Sequence, residues 1–185
     1  MNLIRKIIAF SIFVISFPLF LLVSLLIIID SGFPILFKQK RIGVNNKIFT
    51  IYKFRTMQNN TPDIPTHLLK DNDSVYTSIG PFLRKYSLDE IPQLINLING
   101  DMAFIGPRPA LYNQDDLIQF RTKAGIHRLI PGVTGWAQVN GRDELSIKEK
   151  IGMEIFYLEN QSTLLDAKIL ILTLFKVFKA DGVNV

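Results

Sequence analysis

The chain has 185 residues, 48% of them hydrophobic, and 21 Lys plus Arg against 16 Asp plus Glu give a net charge of +5. With no cysteine, a disulfide framework and thiolate catalysis are excluded. With only His67 and His127 as imidazole ligands, a zinc site is set aside in favour of a hard, oxygen-bound ion. The length suits one domain with a real core. A mean hydropathy of +0.25 points to membrane contact, and the basic excess points to anionic partners: nucleic acid, anionic lipid or phosphorylated substrates.

From Ile7 to Ile29 the run "IIAFSIFVISFPLFLLVSLLIII" holds 23 residues without a charge, long enough to cross a bilayer. It exceeds a signal-peptide apolar region, and "DSGFPILF" offers no A-x-A cleavage pattern. Pro18 divides it. A proline in a helix interior removes a backbone hydrogen bond and costs about 3 kcal/mol. Each half, about 11 residues, reaches only ~16 Å, roughly half the hydrocarbon core. Ser16 is placed to bond backbone groups that Pro18 frees. Arg5 and Lys6 precede the run, and Lys38, Lys40, Arg41, Lys47, Lys53 and Arg55 follow it with no acid between Ser31 and Pro62. Basic flanks mark the cytoplasmic side. On the residues alone two readings stand: a re-entrant helix–break–helix that leaves by the face it entered, and a single span. Either is an anchor, and either puts the downstream domain in the cytoplasm.

"ILFKQKRIGVNNKIFTIYKF" reads as two short strands around a Gly43 to Asn46 turn. Met57 to Ser78 is polar with two prolines, a loop or lid. "PQLINLING" is a short helix closed by Gly100, and "NQDDLIQFRTKAG" a second closed by Gly125. "PGVTGWAQVNGR" is glycine-punctuated, with a tight-turn signal at Asn140-Gly141. "SIKEKIGMEIFYLEN" opens with a capping box, Ser146 and Glu149. "STLLDAKILILTLFKVFKADG" continues as a helix with Lys168, Lys176 and Lys179 on one arc and an apolar remainder. That pattern suits a helix lying at the membrane surface, with a core helix as the other reading.

Two adjacent acid pairs stand out. In "YSLDEIPQ", Ser87 and Glu90 match a capping box, and acids in a first helical turn complement the dipole, which accounts for Asp89 and Glu90 without chemistry. Asp143-Glu144 is open to the same explanation. Around the first pair, however, stand Arg84 and the "GPRP" segment. There Arg108 is held between two prolines that stiffen its backbone, presenting a guanidinium to an oxyanion. Beside arginines and a helix start, an ionised Asp is able to attack phosphorus and form an acyl-phosphate, and its neighbour Glu to hold Mg²⁺ against a diphosphate.

Taken in order, Phe37-x-Gln39-x-Arg41-x-Gly43, "YKFRTM", "FLRKYSLDEIPQL", "GDMAFIGPRP" and "PGVTGWAQVNGR" resemble the small monotopic phosphoglycosyl transferases. These are bacterial enzymes that begin capsule, O-antigen and glycoprotein glycan assembly, and the likeness runs through essentially the whole chain. It implies an α+β, mostly helical fold. Residues 1–31 would be a re-entrant membrane helix broken at Pro18, and residues 32–185 a small cytoplasmic catalytic domain with amphipathic interfacial helices. It implies transfer of sugar-1-phosphate from a UDP-sugar to polyprenol phosphate at the bilayer, with release of UMP. Asp89 would be the nucleophile, Glu90 the Mg²⁺ ligand, and Lys53, Arg55, Arg84, Arg108 and Arg142 contacts for diphosphate, nucleotide or lipid phosphate. Asp143-Glu144 would then be a capped turn. Two positions depart from the pattern: Phe17, with serine one residue earlier, stands before the proline where many members have Ser, and a basic residue near Val75 is absent. Sugar choice is expected to lie in Met57 to Ser78 and Leu111 to Leu129, with an N-acetylated deoxyamino sugar favoured over a hexose. The rival readings are a membrane-anchored phosphatase or diphosphatase and a non-enzymatic membrane-surface binder. Nucleic acid is not expected, because basic and aromatic residues do not interleave on a known module.

Overall fold

A computed structural model describes residues 3–59, 61, 75–141 and 145–179. His67, Arg142, Asp143, Glu144 and most of the Met57 to Ser78 loop lie outside the described residues. The elements run α1 (Leu3–Ser31), β1 (Leu36–Ile42), β2 (Ile48–Phe54), α2 (Gly80–Lys85), a 3-10 turn (Leu88–Glu90), α3 (Gln93–Asn99), β3 (Ala103–Ile105), α4 (Asp115–Lys123), β4 (Gly132–Thr134), α5 (Trp136–Val139), α6 (Ile147–Glu159) and α7 (Thr163–Lys179). The architecture is α+β and mostly helical, as expected.

Pro18 does not divide α1 into two elements. The helix is one 29-residue unit with the proline inside it, at a position where one backbone hydrogen bond cannot be donated. Ser16 does bond the backbone beside it, Oγ donating to the Phe13 carbonyl at 3.2 Å. One stripe of α1 is buried against the domain and the rest is bare. Ala9 packs with Ile51, Leu97 and Met102, while Val23 and Ile27 pack with Phe54 and Leu83. Lys6 Nζ donates to Asn99 O near one end of α1, at 3.4 Å, and Asp30 accepts from Ile79 N at the other, also at 3.4 Å. Outward stand Ile4, Ile7, Phe10, Ile15, Leu22 and Ile29, among others.

β1 and β2 form the expected antiparallel hairpin, Leu36 opposite Phe54 and Ile42 opposite Ile48. Asn45 and Asn46 take the left-handed backbone at φ 52° and 59°, which asparagine tolerates better than most residues. The outer edge of β2 is held by one side chain. Buried Asn96 of α3 accepts from Tyr52 N at 3.1 Å and donates to Thr50 O at 2.7 Å, standing in for a neighbouring strand.

A second sheet, unforeseen in sequence, pairs β3 with β4 in parallel, Ala103 opposite Gly132 and Ile105 opposite Thr134. It depends on bare backbone. A side chain on Gly132 would meet Gly106 N at 2.1 Å, and one on Gly135 would meet Gly106 O at 2.1 Å. α6 carries the predicted capping box, Glu149 N donating to Ser146 Oγ and Ser146 N to Glu149. α7 folds back on α6 through Tyr157 Oη, which donates to Asp166 Oδ1 at 2.8 Å. On α7, Ile169 is fully buried, while Leu164, Ile171, Leu174 and Phe175 are exposed. The core-helix alternative therefore gives way to the amphipathic surface helix. Lys168 reaches over the Trp136 ring, 5.4 Å from its centroid.

Candidate active site

Asp89 and Glu90 lie on the 3-10 turn between α2 and α3, and the capping explanation for them fails. Ser87 is in the left-handed region at φ 55°, ψ 21°, and makes no side-chain cap. For a non-glycine residue that conformation costs of order 1–2 kcal/mol and persists only where surroundings impose it. Glu90 turns instead toward β2. Lys53 Nζ lies 2.7 Å from Glu90 Oε1 and 3.7 Å from Asp89 Oδ2. Arg108 Nη1 approaches Glu90 Oε1 from the other side at 3.6 Å. Arg84 stacks over the Tyr76 ring, 5.2 Å from its centroid, and its charge acts on Asp89. Five of the expected residues, Lys53, Arg84, Asp89, Glu90 and Arg108, thus form one mixed-charge cluster with Lys53 between the two carboxylates.

That cluster is largely out of water: the side chains of Lys53, Asp89 and Glu90 are 16%, 11% and 12% exposed. Burial pushes the Asp89 carboxyl above the usual carboxylate range, and Glu90 adds to the rise, while Lys53, Arg84 and Arg108 pull it down. Burial likewise lowers Lys53, against the pull of the two carboxylates. For Asp89 the effect of desolvation thus exceeds the pull of the cations around it. A substrate phosphate over this cluster would meet three cations.

The rigid proline segment is held at both edges. Gly132 N donates to Pro107 O and Ile42 N to Ala110 O, each at 2.9 Å. Arg41 Nη1 donates to Pro109 O at 3.1 Å, and Gln39 Oε1 accepts from both Nε and Nη2 of Arg41. Gln39 and Arg41 alternate on one face of β1, so the Gln-x-Arg spacing builds a clamp on the residues flanking Arg108. Arg41, Lys53, Gln93, Arg108 and Pro109 line a small cleft beside the carboxylates. The sequence reading missed Arg41 as a site residue, although the period-2 spacing signalled that it shares a strand face with Gln39.

Arg55 belongs elsewhere. It is buried, and its guanidinium donates to the carbonyls of Ser31, Gly32 and Pro34, to Ser31 Oγ and to Asn59 Oδ1, all within 2.9 Å. It closes the C-terminal end of α1, where orphan carbonyls and the helix dipole favour a cation, and is not a member of the carboxylate cluster. Arg142 lies outside the described residues. His127 lines a cavity behind the proline segment with Ile118 and Arg121, away from Asp89.

Among the described residues no three His, Cys, Asp or Glu converge into a metal cage. Mg²⁺ does not require one, because it is commonly held through one or two carboxylates and substrate phosphates. A single Glu90 beside a small cleft lined by Arg41, Lys53 and Arg108 fits that pattern.

The site gathers Lys53, Arg84 and Arg108 around an Asp–Glu pair, a set of groups suited to binding phosphate. A family model described as bacterial sugar transferase matches residues 2–180, and the chain belongs to that family. It is 43% identical over 153 residues to the uncharacterized sugar transferase EpsL of Bacillus subtilis strain 168, covering 83% of this chain and 74% of EpsL. It is 34% identical over 187 residues to the UDP-N-acetylgalactosamine-undecaprenyl-phosphate N-acetylgalactosaminephosphotransferase of Aeromonas hydrophila, covering 98% of this chain and 44% of that protein. It is 35% identical over 168 residues to the UDP-glucose:undecaprenyl-phosphate glucose-1-phosphate transferase of Escherichia coli K12, covering 87% of this chain and 36% of that protein. The chain thus spans less than half of the two larger relatives.

Proposed function

We propose that this protein transfers sugar-1-phosphate from a UDP-sugar to undecaprenyl phosphate through a covalent intermediate on Asp89, as the first membrane step of a bacterial surface glycan. The observation that carries the reading is the buried Asp89 ringed by Lys53, Arg84 and Arg108. The names of the Aeromonas and E. coli relatives support the two substrates. They divide over the sugar, and we favour an N-acetylated amino sugar.

The step balances as follows. An Asp89 carboxylate oxygen attacks the phosphorus that bears the sugar, and the anhydride bond to UMP breaks. UMP leaves with the bridging oxygen, and an aspartyl sugar phosphate remains. A phosphate oxygen of the lipid then attacks the same phosphorus. The Asp89–phosphorus bond breaks, the carboxylate returns, and the lipid carries a diphosphosugar. Lys53, Arg84 and Arg108 are the groups that favour the ionised, nucleophilic form of Asp89, against its burial and against the charge of the arriving diphosphate. Glu90 is the residue that would hold Mg²⁺, a hard cation that offsets diphosphate charge.

The contacts of α1 support a membrane placement. Lys6 and Ala9 near its start and Ile27 and Asp30 near its end all touch the same domain. A helix that crossed the bilayer would carry one end away from a domain held on the other face. These contacts support the re-entrant reading, with both ends at the cytoplasmic surface and the active site near headgroup depth. The test is incubation with a UDP-sugar panel, Mg²⁺ and undecaprenyl phosphate. UMP release, a lipid-linked diphosphosugar on thin-layer plates and an intact-mass phosphosugar adduct are expected. Adduct and turnover that persist in Asp89→Asn would end the reading, and sugar phosphate released to water without lipid would make the protein a phosphatase.

A further inference from the structure

The 3-10 turn that carries Asp89 and Glu90 runs straight into α3, through Ile91 and Pro92 in the right-handed helical region. Residues three apart along this stretch share a face. Glu90, Gln93 and Asn96 are three such residues, and β2 stands against them. Glu90 meets the Lys53 ammonium at 2.7 Å. Asn96 accepts from Tyr52 N at 3.1 Å and donates to Thr50 O at 2.7 Å. Gln93, between the two, is 3% exposed, yet among the described residues its carboxamide has no hydrogen-bond partner. It lines the cleft beside the carboxylates with Arg41, Lys53 and Arg108. An amide held out of water and unpaired weakens a fold, so packing does not account for this residue.

Resting on the function proposed above, we infer that Gln93 is a substrate-binding residue whose amide N–H donates to a non-bridging oxygen of the sugar-bearing phosphoryl group as it passes from UMP to Asp89. The neighbouring donors in the cleft, Arg41, Lys53 and Arg108, are all cations. A further cation at this point would pair with Glu90 or Asp89, as Lys53 does. A carboxamide adds a donor without adding a charge, and keeps its N–H for the ligand. The spacing gives one helical face three tasks: Asn96 fixes the strand, Glu90 engages the lysine, and Gln93 is left to the phosphoryl group.

The test is Gln93→Met in the full chain, which keeps length and removes both polar ends of the side chain. Three quantities are measured in detergent micelles: the urea midpoint, the affinity for UDP by calorimetry, and the rate of single-turnover UMP release from a donor that the wild type uses. No hydrogen bond inside the protein is lost, so the midpoint is expected to hold or rise. UDP affinity is expected to fall about tenfold and UMP release to slow about ten- to a hundredfold, the scale of one hydrogen bond to a charged group. Gln93→Glu, which sets a third carboxylate beside the incoming phosphate, is expected to be slower still. A lowered midpoint in Gln93→Met would make the residue structural and overturn the inference. So would UDP affinity and UMP release at wild-type values. A wild type that binds UDP but releases UMP from no donor would end the covalent reaction proposed above, and the two UDP affinities would still decide Gln93.

Discussion

Lys53 Nζ sits 2.7 Å from Glu90 Oε1 and 3.7 Å from Asp89 Oδ2, so one ammonium on β2 bridges both carboxylates of the reactive turn. Removing one partner from a largely buried ion cluster leaves the others uncompensated. Lys53→Met is expected to lower turnover on the order of a hundredfold and to reduce stability by about 3 kcal/mol. Lys53→Arg should recover part of the stability and little of the rate, because a planar fork does not place one charge between two carboxylates. Urea midpoints and UMP release measure the two effects.

Because Asp89 is raised in the folded protein, its contribution to stability has a definite sign. The folded chain holds this proton more tightly than the unfolded chain. The contribution is fully present below the ordinary carboxylate pKa and is lost as pH rises through the raised value. Asp89→Asn should remove that slope. Rate runs the other way: the nucleophile must be ionised, so the acid limb of kcat/KM is expected above the ordinary carboxylate range. Denaturant titrations and a pH–rate profile check both.

Asn96 carries the edge of β2 with one amide. Asn96→Leu strands Tyr52 N–H and Thr50 C=O in a buried setting, each worth about 1–3 kcal/mol. A loss of about 3 kcal/mol in thermal or urea unfolding is expected, together with loss of activity, because Lys53 is the neighbour of Tyr52 on the same strand.

Arg41 acts on Arg108 through the Pro109 carbonyl. Arg41→Ala is expected to lower kcat/KM about tenfold, and combined with Arg108→Ala to cost less than the sum of the two single changes. Full additivity would mean that the clamp does not position Arg108.

Much of this was legible because it is local. The Gly43 to Asn46 turn, the glycine ends at Gly100 and Gly125, and the Ser146–Glu149 box each announce themselves within a few residues. The Asp–Glu pair and its cations emerged from motif order. What stayed hidden is set by distance along the chain. Ser87 and Glu90 satisfy the capping-box spacing, yet Lys53, 37 residues away from Glu90, outcompetes Ser87 for the glutamate. Arg55 resembles a phosphate ligand until the α1 carbonyls it closes are seen, and those are backbone atoms with no signature. The β3–β4 pairing joins three-residue strands, too short for any periodicity, and depends on glycines whose spacing reads equally well as turns.

The buried stripe of α1 has a practical corollary. Ile51, Phe54, Leu83, Leu97 and Met102 all lean on this helix, so the most apolar element of the chain is also a wall of the interior. Trimming the chain to begin after Ser31 would lay those side chains open to solvent and remove the two Ser31 acceptors of Arg55. A fragment without this helix would lose part of its own core, since the apolar helix and the scaffold are one piece of polypeptide.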